Sequence, residues 1–389
     1  MLWLIAFLFP GPPIDVADQK QLFFDRQFIS DSEGVELHTN EAQKLGLIRD
    51  ETGQPILGHI SNVIDQDGKV RLYLGADSVE VLESTDGLQF QRTGTKLGSG
   101  IFSTIFLDTH DTPERRYKMF YVKFEAPFDP DQHGVYGAYS ADGVQFTTVG
   151  QVLPFYTDNP TLVQWDEKIG KYVIYTRAFD YNSEKQRRIG RIETDDPLKP
   201  WPFRKTDNDR MFLAMENIDV VLSPDDEWDR WYAVMGPGIV RRGNYLYQYY
   251  YSSGRLHDSA ILRPEYDHSA PQTGGVGIVR QRLDGFVSAD ADFRGGYLRT
   301  PPIVFNGNML RLNIDTGSMG TAFVEIQDAD GQPIPCFSLA DCEEVGGNFI
   351  DQQVYWKGSS DISSLAGKIV RLRLNLKRAK LYAFQFTAE

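Results

Sequence analysis

Along most of the chain, short runs alternate apolar and polar positions, and each run is bounded by Gly, Asp, Asn or Pro. Examples are "KVRLYLGA" (69–76), "SVEVLES" (78–84), "YKMFYVKF" (117–124), "GVYGAYS" (134–140) and "KYVIYTRAF" (171–179). Period-two alternation rich in Val, Ile, Tyr and Phe predicts β-strands, and the runs are too short and too often broken for helices. The fold class read from the pattern is all-β.

The runs are grouped. "ESTDGLQF" (83–90) returns as "YSADGVQF" (139–146), with Ser, Asp, Gly and Phe at matching offsets. Before each come three strand-like runs, and after each a short fourth one, "FQRTG" or "FTTVG". A third set, "NPTLVQWD", "KYVIYTRAF" and "RRIGRIE", leads to "TDDPLKPWPF" with Asp195 in the place of Asp86 and Asp142. The step is 56 residues from Asp86 to Asp142 and 53 from there to Asp195. Four short strands repeated at such a step match β-propeller blades, and a long meander or barrel is the other reading. The next Asp-Gly turn, Asp284-Gly285, lies 89 residues after Asp195, too far for one blade and too near for two. The expectation is a five-bladed β-propeller over residues 21–291 with a shortened fourth blade, "QLFFDRQFI" (21–29) supplying the closing strand.

From residue 292 the blade period disappears. "GGYLRTPPIVFNGNMLRLNIDT", "TAFVEIQDADGQPI" and "KIVRLRLNLKRAKLYAFQF" are alternating strands with hairpin turns, and residues 292–389 are expected to form a β-sandwich. Residues 1–20 include "MLWLIAFLFPGPP", a short hydrophobic stretch without a basic start, read as a leader or signal segment; the expectation is secretion or a periplasmic location, with a cytoplasmic one the alternative.

Composition adds limits. With 24 Phe, 19 Tyr, 35 Gly and 20 Pro the chain suits strands joined by tight turns. No apolar run reaches the roughly 18 residues of a membrane span. A net charge of −14 argues against a nucleic-acid partner, whose phosphates need Lys and Arg, although a local cationic cluster can still hold an anion. Cys336 and Cys342 stand as two packed thiols or as a small disulfide loop, and no Cys/His spacing points to zinc or another cofactor.

Several stretches resemble a known group: "QLFFDRQFI", "SADGVQF", "RRIGRIETDD", "GIVRRGNYLYQYY", "VRQRLDGFVSADADFRGG", "TPPIVFNGNMLRLNIDT" and "GSSDISSLAGKIVRLRLNLKRAKLYAFQF". Together they resemble planctomycete-type glycosyl-hydrolase-like five-bladed propeller proteins with a C-terminal β-sandwich. These are distantly similar to glycoside hydrolase families 32, 43 and 68. The resemblance implies that fold and a saccharide ligand. The "N-D-P-N-G", "R-D-P" and "E-C-P" motifs of those families are absent, so no catalytic residue is carried over from them.

Candidate chemistry is therefore read from the residues. Propeller ligands bind where the innermost strands begin, and glycosidic cleavage needs one protonated and one ionised carboxyl about 5–10 Å apart. The first blade begins "GHISN", with His59 and Asn62; the third begins "YTDNPT", with Asp158 and Asn159; the fourth begins "MENID", with Glu216 and Asp219. Asp158 with Glu216 is the first catalytic pair, and Asp219 a modulator of either. The bland alternatives are a turn acid before Asn-Pro and a solvated loop. Lys123 and Arg177 stand in apolar runs, where an unpaired charge is costly, so each must meet a carboxylate or clamp a ligand anion. His257 lies in a long loop able to reach a pocket mouth. "SPDDEWD" (223–229) reads as a turn, with a calcium site the lesser alternative; no metal is assigned. The leading function is a glycoside hydrolase acting on an oligo- or polysaccharide. The alternative is a non-catalytic carbohydrate-binding propeller.

Overall fold

A computed structural model describes residues 12–75, 78–97, 101–123, 134–154, 161–179, 187–202, 228–229, 232–254 and 274–388, with backbone alone at 101–103, 177–179, 187–190 and 232. Among them there is no α-helix, only two short 3-10 turns at Pro113–Arg115 and Ser363–Leu365, so the chain is all-β. No helix is long and apolar enough to cross a membrane. Strands β1–β4 are Ile14–Ala17, Gln21–Leu22, Asp31–Glu33 and Val35–Thr39, and β5–β9 are Gln43–Leu47, His59–Gln66, Lys69–Gly75, Val79–Ser84 and Gln91–Leu97. Then come β10–β13 (Ile101–Leu107, Tyr117–Lys123, Gly134–Ser140, Thr147–Leu153) and β14–β16 (Thr161–Asp166, Lys171–Phe179, Arg187–Thr194). Strands β17–β20 are Tyr232–Met235, Val240–Arg242, Tyr245–Ser253 and Gly274–Arg282, and β21–β24 are Val287–Ala291, Gly296–Arg299, Ile303–Phe305 and Met309–Asp315. Last are β25–β28, at Thr321–Gln327, Asn348–Gln353, Arg371–Lys377 and Ala379–Thr387. The chain divides into two compact units, one of Met1–Ala42 with Gln281–Glu389, the other of Gln43–Asn217 with Ser223–Arg280.

The second unit is a succession of antiparallel sheets ordered β6-β7-β8-β9, β10-β11-β12-β13, β14-β15-β16 and β17-β19-β20-β5, with β18 also on β19. The first two sheets bury both faces, and strand alternation decides which face each side chain serves. On β7, Val70, Leu72 and Leu74 join Val240, Tyr249, Val276 and Ile278 of the last sheet, whereas Tyr73 turns the other way to Tyr117 and Met119 of the second. On β11 the same division sends Tyr117, Met119 and Tyr121 towards the first sheet and Phe120 and Val122 towards Ile174 and Trp201.

The repeated turn is a side-chain cap. Asp86 Oδ1 accepts from Leu88 N and Gln89 N at 2.8 and 3.0 Å, and Ser84 Oγ accepts from Gly87 N at 2.9 Å. Ser140, Asp142 and Gly143 repeat the pattern, with Val144 N and Gln145 N at 2.8 Å. Gly87 and Gly143 both sit at φ 76°, a region that excludes a Cβ at little cost only for glycine. Each turn is gripped by a tyrosine from the preceding sheet: Tyr73 donates to Gly143 O at 3.2 Å, and Tyr249, on the last sheet, donates to Gly87 O. Burial pushes the Tyr73 hydroxyl up to about 12, so it stays a donor at any working pH.

The third copy differs by one position from the sequence reading. Asp196, not Asp195, holds the turn, taking Leu198 N at 3.0 Å. Pro197 replaces the glycine, and the gripping position on β11, opposite Gly137 as Tyr73 is opposite Val81, is Phe120, which has no hydroxyl to give. Asp284 does not continue the series either: it has φ 62° itself, and its carboxylate takes Lys20 Nζ at 2.9 Å and Asn313 Nδ2 at 3.1 Å.

The strand completing the last sheet is β5, paired antiparallel with β20 from Gly277↔Leu47 to Arg280↔Gln43. Lys44 on β5 meets the wholly buried Asp229 at 2.8 Å, and Tyr250 donates to the same carboxylate at 2.9 Å. Asp229 of "SPDDEWD" is thus an internal ion-pair partner; Asp225 and Asp226 lie outside the described residues. Residues 21–29, read as the closing strand, go elsewhere. Gln21 and Leu22 pair with Phe384 and Ala383, and Phe23, Phe28 and Ile29 enter the first unit's core.

That unit has a sheet ordered β26-β24-β28-β21-β4, with β2 on β28, and a sheet ordered β25-β27-β22-β3. Their buried positions, among them Leu312, Leu374, Val324 and Phe386, form one apolar cluster. Cys342 is buried in it and Cys336 is exposed, both as free thiols, which removes the disulfide reading. Burial pushes the Cys342 thiol up.

The turn latch makes two expectations. Gly94 has φ 75° in open space, whereas a Cβ on Gly87 would lie 2.9 Å from Tyr249 Oη. Gly94→Ala should cost about 1 kcal/mol from the backbone alone. Gly87→Ala should cost a further ~1–3 kcal/mol through the clash. Urea denaturation measures both, and equal losses would remove the latch. Asp86 and Asp142 are held below the usual carboxylate range, chiefly by the backbone N–H of Gln89 and Gln145. A lowered folded pKa stabilises above the unfolded value, about 3.9, and that contribution fades as pH falls through the folded one. The Asp86→Asn/Asp142→Asn variant should therefore lose less stability than wild type on acidification, read as urea midpoints across the acid range.

Candidate functional site

Strands β6, β10 and β14, each the first of its sheet, have no backbone ladder between them, so side chains meet the carbonyls along their edges. Asn62 Nδ2 donates to Ile105 O, joining β6 to β10, and Thr104 Oγ1 donates to Thr161 O, joining β10 to β14. The last sheet approaches β6 through glycine: a Cβ on Gly238, at φ 97°, would lie 2.4 Å from Val63 O, and one on Gly236 would lie 2.5 Å from Ile60 Cγ2.

These strands wall a cavity of about 540 Å³. It is lined by residues 62–65, 104 and 106–110, 162–165 and 167, and by Pro237-Gly238. On β6 and β10 these positions are the later half, with the turn that follows β10, and on β14 they run from its second residue, Leu162, to Trp165. His59, the first residue of β6, is not among the lining residues, and its ring lies 4.8 Å from that of Tyr251.

The cavity end carries a buried charge network. Lys118 is wholly buried and donates to Asp108 and to Arg115 O, its ammonium also lying 2.9 Å from the Asp111 carboxylate. Asp108 further accepts from Tyr172 Oη at 2.6 Å and from His110 N at 2.9 Å, and Arg115 reaches Asp196 at 3.2 Å. Burial and then the hydrogen bond to Asp108 push the Tyr172 hydroxyl far up. Burial would raise Asp111, but the Lys118 hydrogen bond, the Thr112 N–H and the charges of Lys118 and Arg115 hold it low. At the rim, His110 stacks on Trp165, with centroids 4.5 Å apart at 17°, and meets Glu167 at 2.8 Å. Among the described residues no group of three or more His, Cys, Asp or Glu is placed to hold a metal ion.

The sequence-derived residues distribute unevenly. Asp158, Asn159, Glu216, Asp219 and His257 lie outside the described residues, and Arg177 is described by backbone alone, opposite Ile189. Asn62 lies on the cavity wall and is engaged with Ile105 O and Val63 N. Lys123 lies away from that wall, its ammonium 4.3 Å from the Tyr136 ring centroid. Sequence reasoning missed Lys118, Asp108 and Tyr172. The signal was present in "YKMFYVKF", where Lys118 stands between Tyr117 and Met119, yet only the second lysine was singled out.

No family model and no curated protein matches the chain. Solved structures give remote likenesses. One is a thermostable family-43 glycoside hydrolase, at 12% identity and TM-score 0.30, covering 51% of this chain and 66% of that one, under two thirds of its length. Another is an exo-β-1,3-galactanase from Phanerochaete chrysosporium bound to β-1,3-galactotriose, at 11% identity and TM-score 0.32, covering 90% and 99%. A third is a β-1,2-mannobiose phosphorylase from Listeria innocua, at 10% identity and TM-score 0.38, covering 59% and 90%.

The network should behave as a brace between the second and third sheets. Lys118→Met strands buried Asp108 and should cost ~3–5 kcal/mol. Lys118→Met/Asp108→Leu should recover part of that loss, because neither charge is then left alone. Thermal unfolding of both variants tests this, and a neutral single variant would refute the brace.

Proposed function

We propose that the second unit is a five-bladed β-propeller, the first a β-sandwich, and that the protein is a glycoside hydrolase of the planctomycete-type group named above. The observation supporting this most directly is that the first strands of three successive sheets, β6, β10 and β14, line one cavity. Their starts form a common mouth, and Asp158 stands three residues before Thr161, the first of β14.

In this reading Asp158 and Glu216 act as the carboxyl pair, with Asp219 tuning one of them. The protonated member gives its proton to the glycosidic oxygen as the bond to the anomeric carbon breaks. The ionised member either attacks that carbon or takes a proton from the water that does. A separation of about 5–5.5 Å would give retention and ~6.5–9.5 Å inversion. His59, Asn159, Arg177 and His257 are assigned to sugar hydroxyls or to an acidic substituent, and Asn62 to holding β6 against β10.

The test is glycan release from a panel of polysaccharides by wild type, Asp158→Asn and Glu216→Gln. The expected result is release by wild type, reduced at least ~10²-fold in either variant. Equal release by all three would remove the assigned pair. Binding without release by any of them would favour the carbohydrate-binding alternative.

A further inference from the structure

Lys123 belongs to a different concavity. It lies in a groove of about 400 Å³ formed by the end of β9, the middle and end of β11, and the turn leading into β13. The floor is apolar, with Met119, Tyr121 and Phe146, and the rim carries Lys96, Lys123 and the hydroxyl of Thr148. No Asp or Glu lines it among the described residues.

That charge pattern stands out in a chain of net charge −14. Several other lysines of this unit are neutralised: Lys69 by Glu83 at 2.9 Å, Lys44 by Asp229 at 2.8 Å, and Lys118 by Asp108. Lys96 and Lys123 make no ion pair with a described residue. Glu80, opposite Lys96 across β8 and β9, is committed to Arg92 instead. Lys123 is held over Tyr136, whose ring stacks on Tyr121 with centroids 5.8 Å apart. A cation held over an aromatic face, beside a second ammonium with no ion-pair partner among the described residues and above an apolar floor, complements a ring that carries a negative charge.

We propose that this groove is a second saccharide site, separate from the channel, that takes a sugar unit bearing a carboxylate or sulfate group. The ring packs on Tyr121 and Phe146, and the anionic substituent lies between the ammoniums of Lys96 and Lys123. The proposal rests on the carbohydrate reading above and narrows its ligand to acidic glycans. The shared chemistry is a fixed negative charge on a pyranose, and carboxylate and sulfate are separated by experiment.

The test is calorimetric titration of the full chain with an oligogalacturonate, a sulfated galacto-oligosaccharide and a neutral galacto-oligosaccharide. It is run on Asp158→Asn, so that binding is read whether or not the channel hydrolyses anything. One or both acidic probes should bind at least ~tenfold tighter than the neutral one, and more weakly as salt is raised. Adding Lys96→Gln and Lys123→Gln should weaken that binding about tenfold or more, and Lys123→Arg should retain it. Near-ultraviolet circular dichroism establishes that the Gln variant is folded. Acidic probes binding no better than the neutral one, or equally well to the Gln variant, would overturn the proposal while leaving the hydrolase assignment standing. No glycan release by wild type, with this binding intact, would do the reverse.

Discussion

Packing of the last sheet of the Gln43–Arg280 unit against its first is the constraint on which that unit depends. The first two sheets there are apolar on both faces, so either one without a neighbour would expose one of them. On β7 alone that face holds Val70, Leu72 and Leu74, covered by Val240, Val276 and Ile278. At about 1.5–3 kcal/mol for each such side chain, three exposed residues would consume most of a domain's net stability of ~5–15 kcal/mol. Tyr249 holds the contact by bonding the Gly87 carbonyl, while Gly236 and Gly238 let the strands approach closely enough for the apolar faces to meet.

What was legible in the sequence follows from where the information lies. The Asp86 and Asp142 turns were readable because the side chains that cap them are within three residues of the groups they bond, and the same chemistry is spelled twice. The third turn misled by one position because two aspartates adjoin, and only geometry tells which carboxylate faces Leu198 N. The closing strand was unreadable for a different reason. "QLFFDRQFI" has the stronger apolar pattern, but hydrophobicity says that a segment is buried and not in which core. "QKLGL" is weakly patterned because an outermost strand covers little. Its place is secured by pairing with β20 and by Lys44 reaching Asp229, a long-range contact with no local signature.

The candidate site shows the same division. Polar residues on the inner strands suggested ligand contacts, yet Asn62 and Thr104 answer to the carbonyls of neighbouring strands. Where parallel inner edges converge without a ladder, each unpaired carbonyl needs a donor, and the first polar side chain within reach is taken. The mid-strand amide of Asn62 and hydroxyl of Thr104 are thus scaffold. Lys118 is the complementary case: a charge with no local sign of its partner is wholly enclosed, because Asp108 meets it from across the hairpin.

The division of the chain carries a consequence for how the protein is assembled and dissected. Residues 1–42 share a core with residues 281–389, so the sheets between them are an insertion within a discontinuous host. On the ribosome, Phe23, Phe28 and Ile29 must wait for Phe384 to emerge, while β5 must hold back from them and await β20. A fragment ending near residue 291 would carry orphaned aromatic segments at its front, and the natural excision point for the inserted part begins at Gln43.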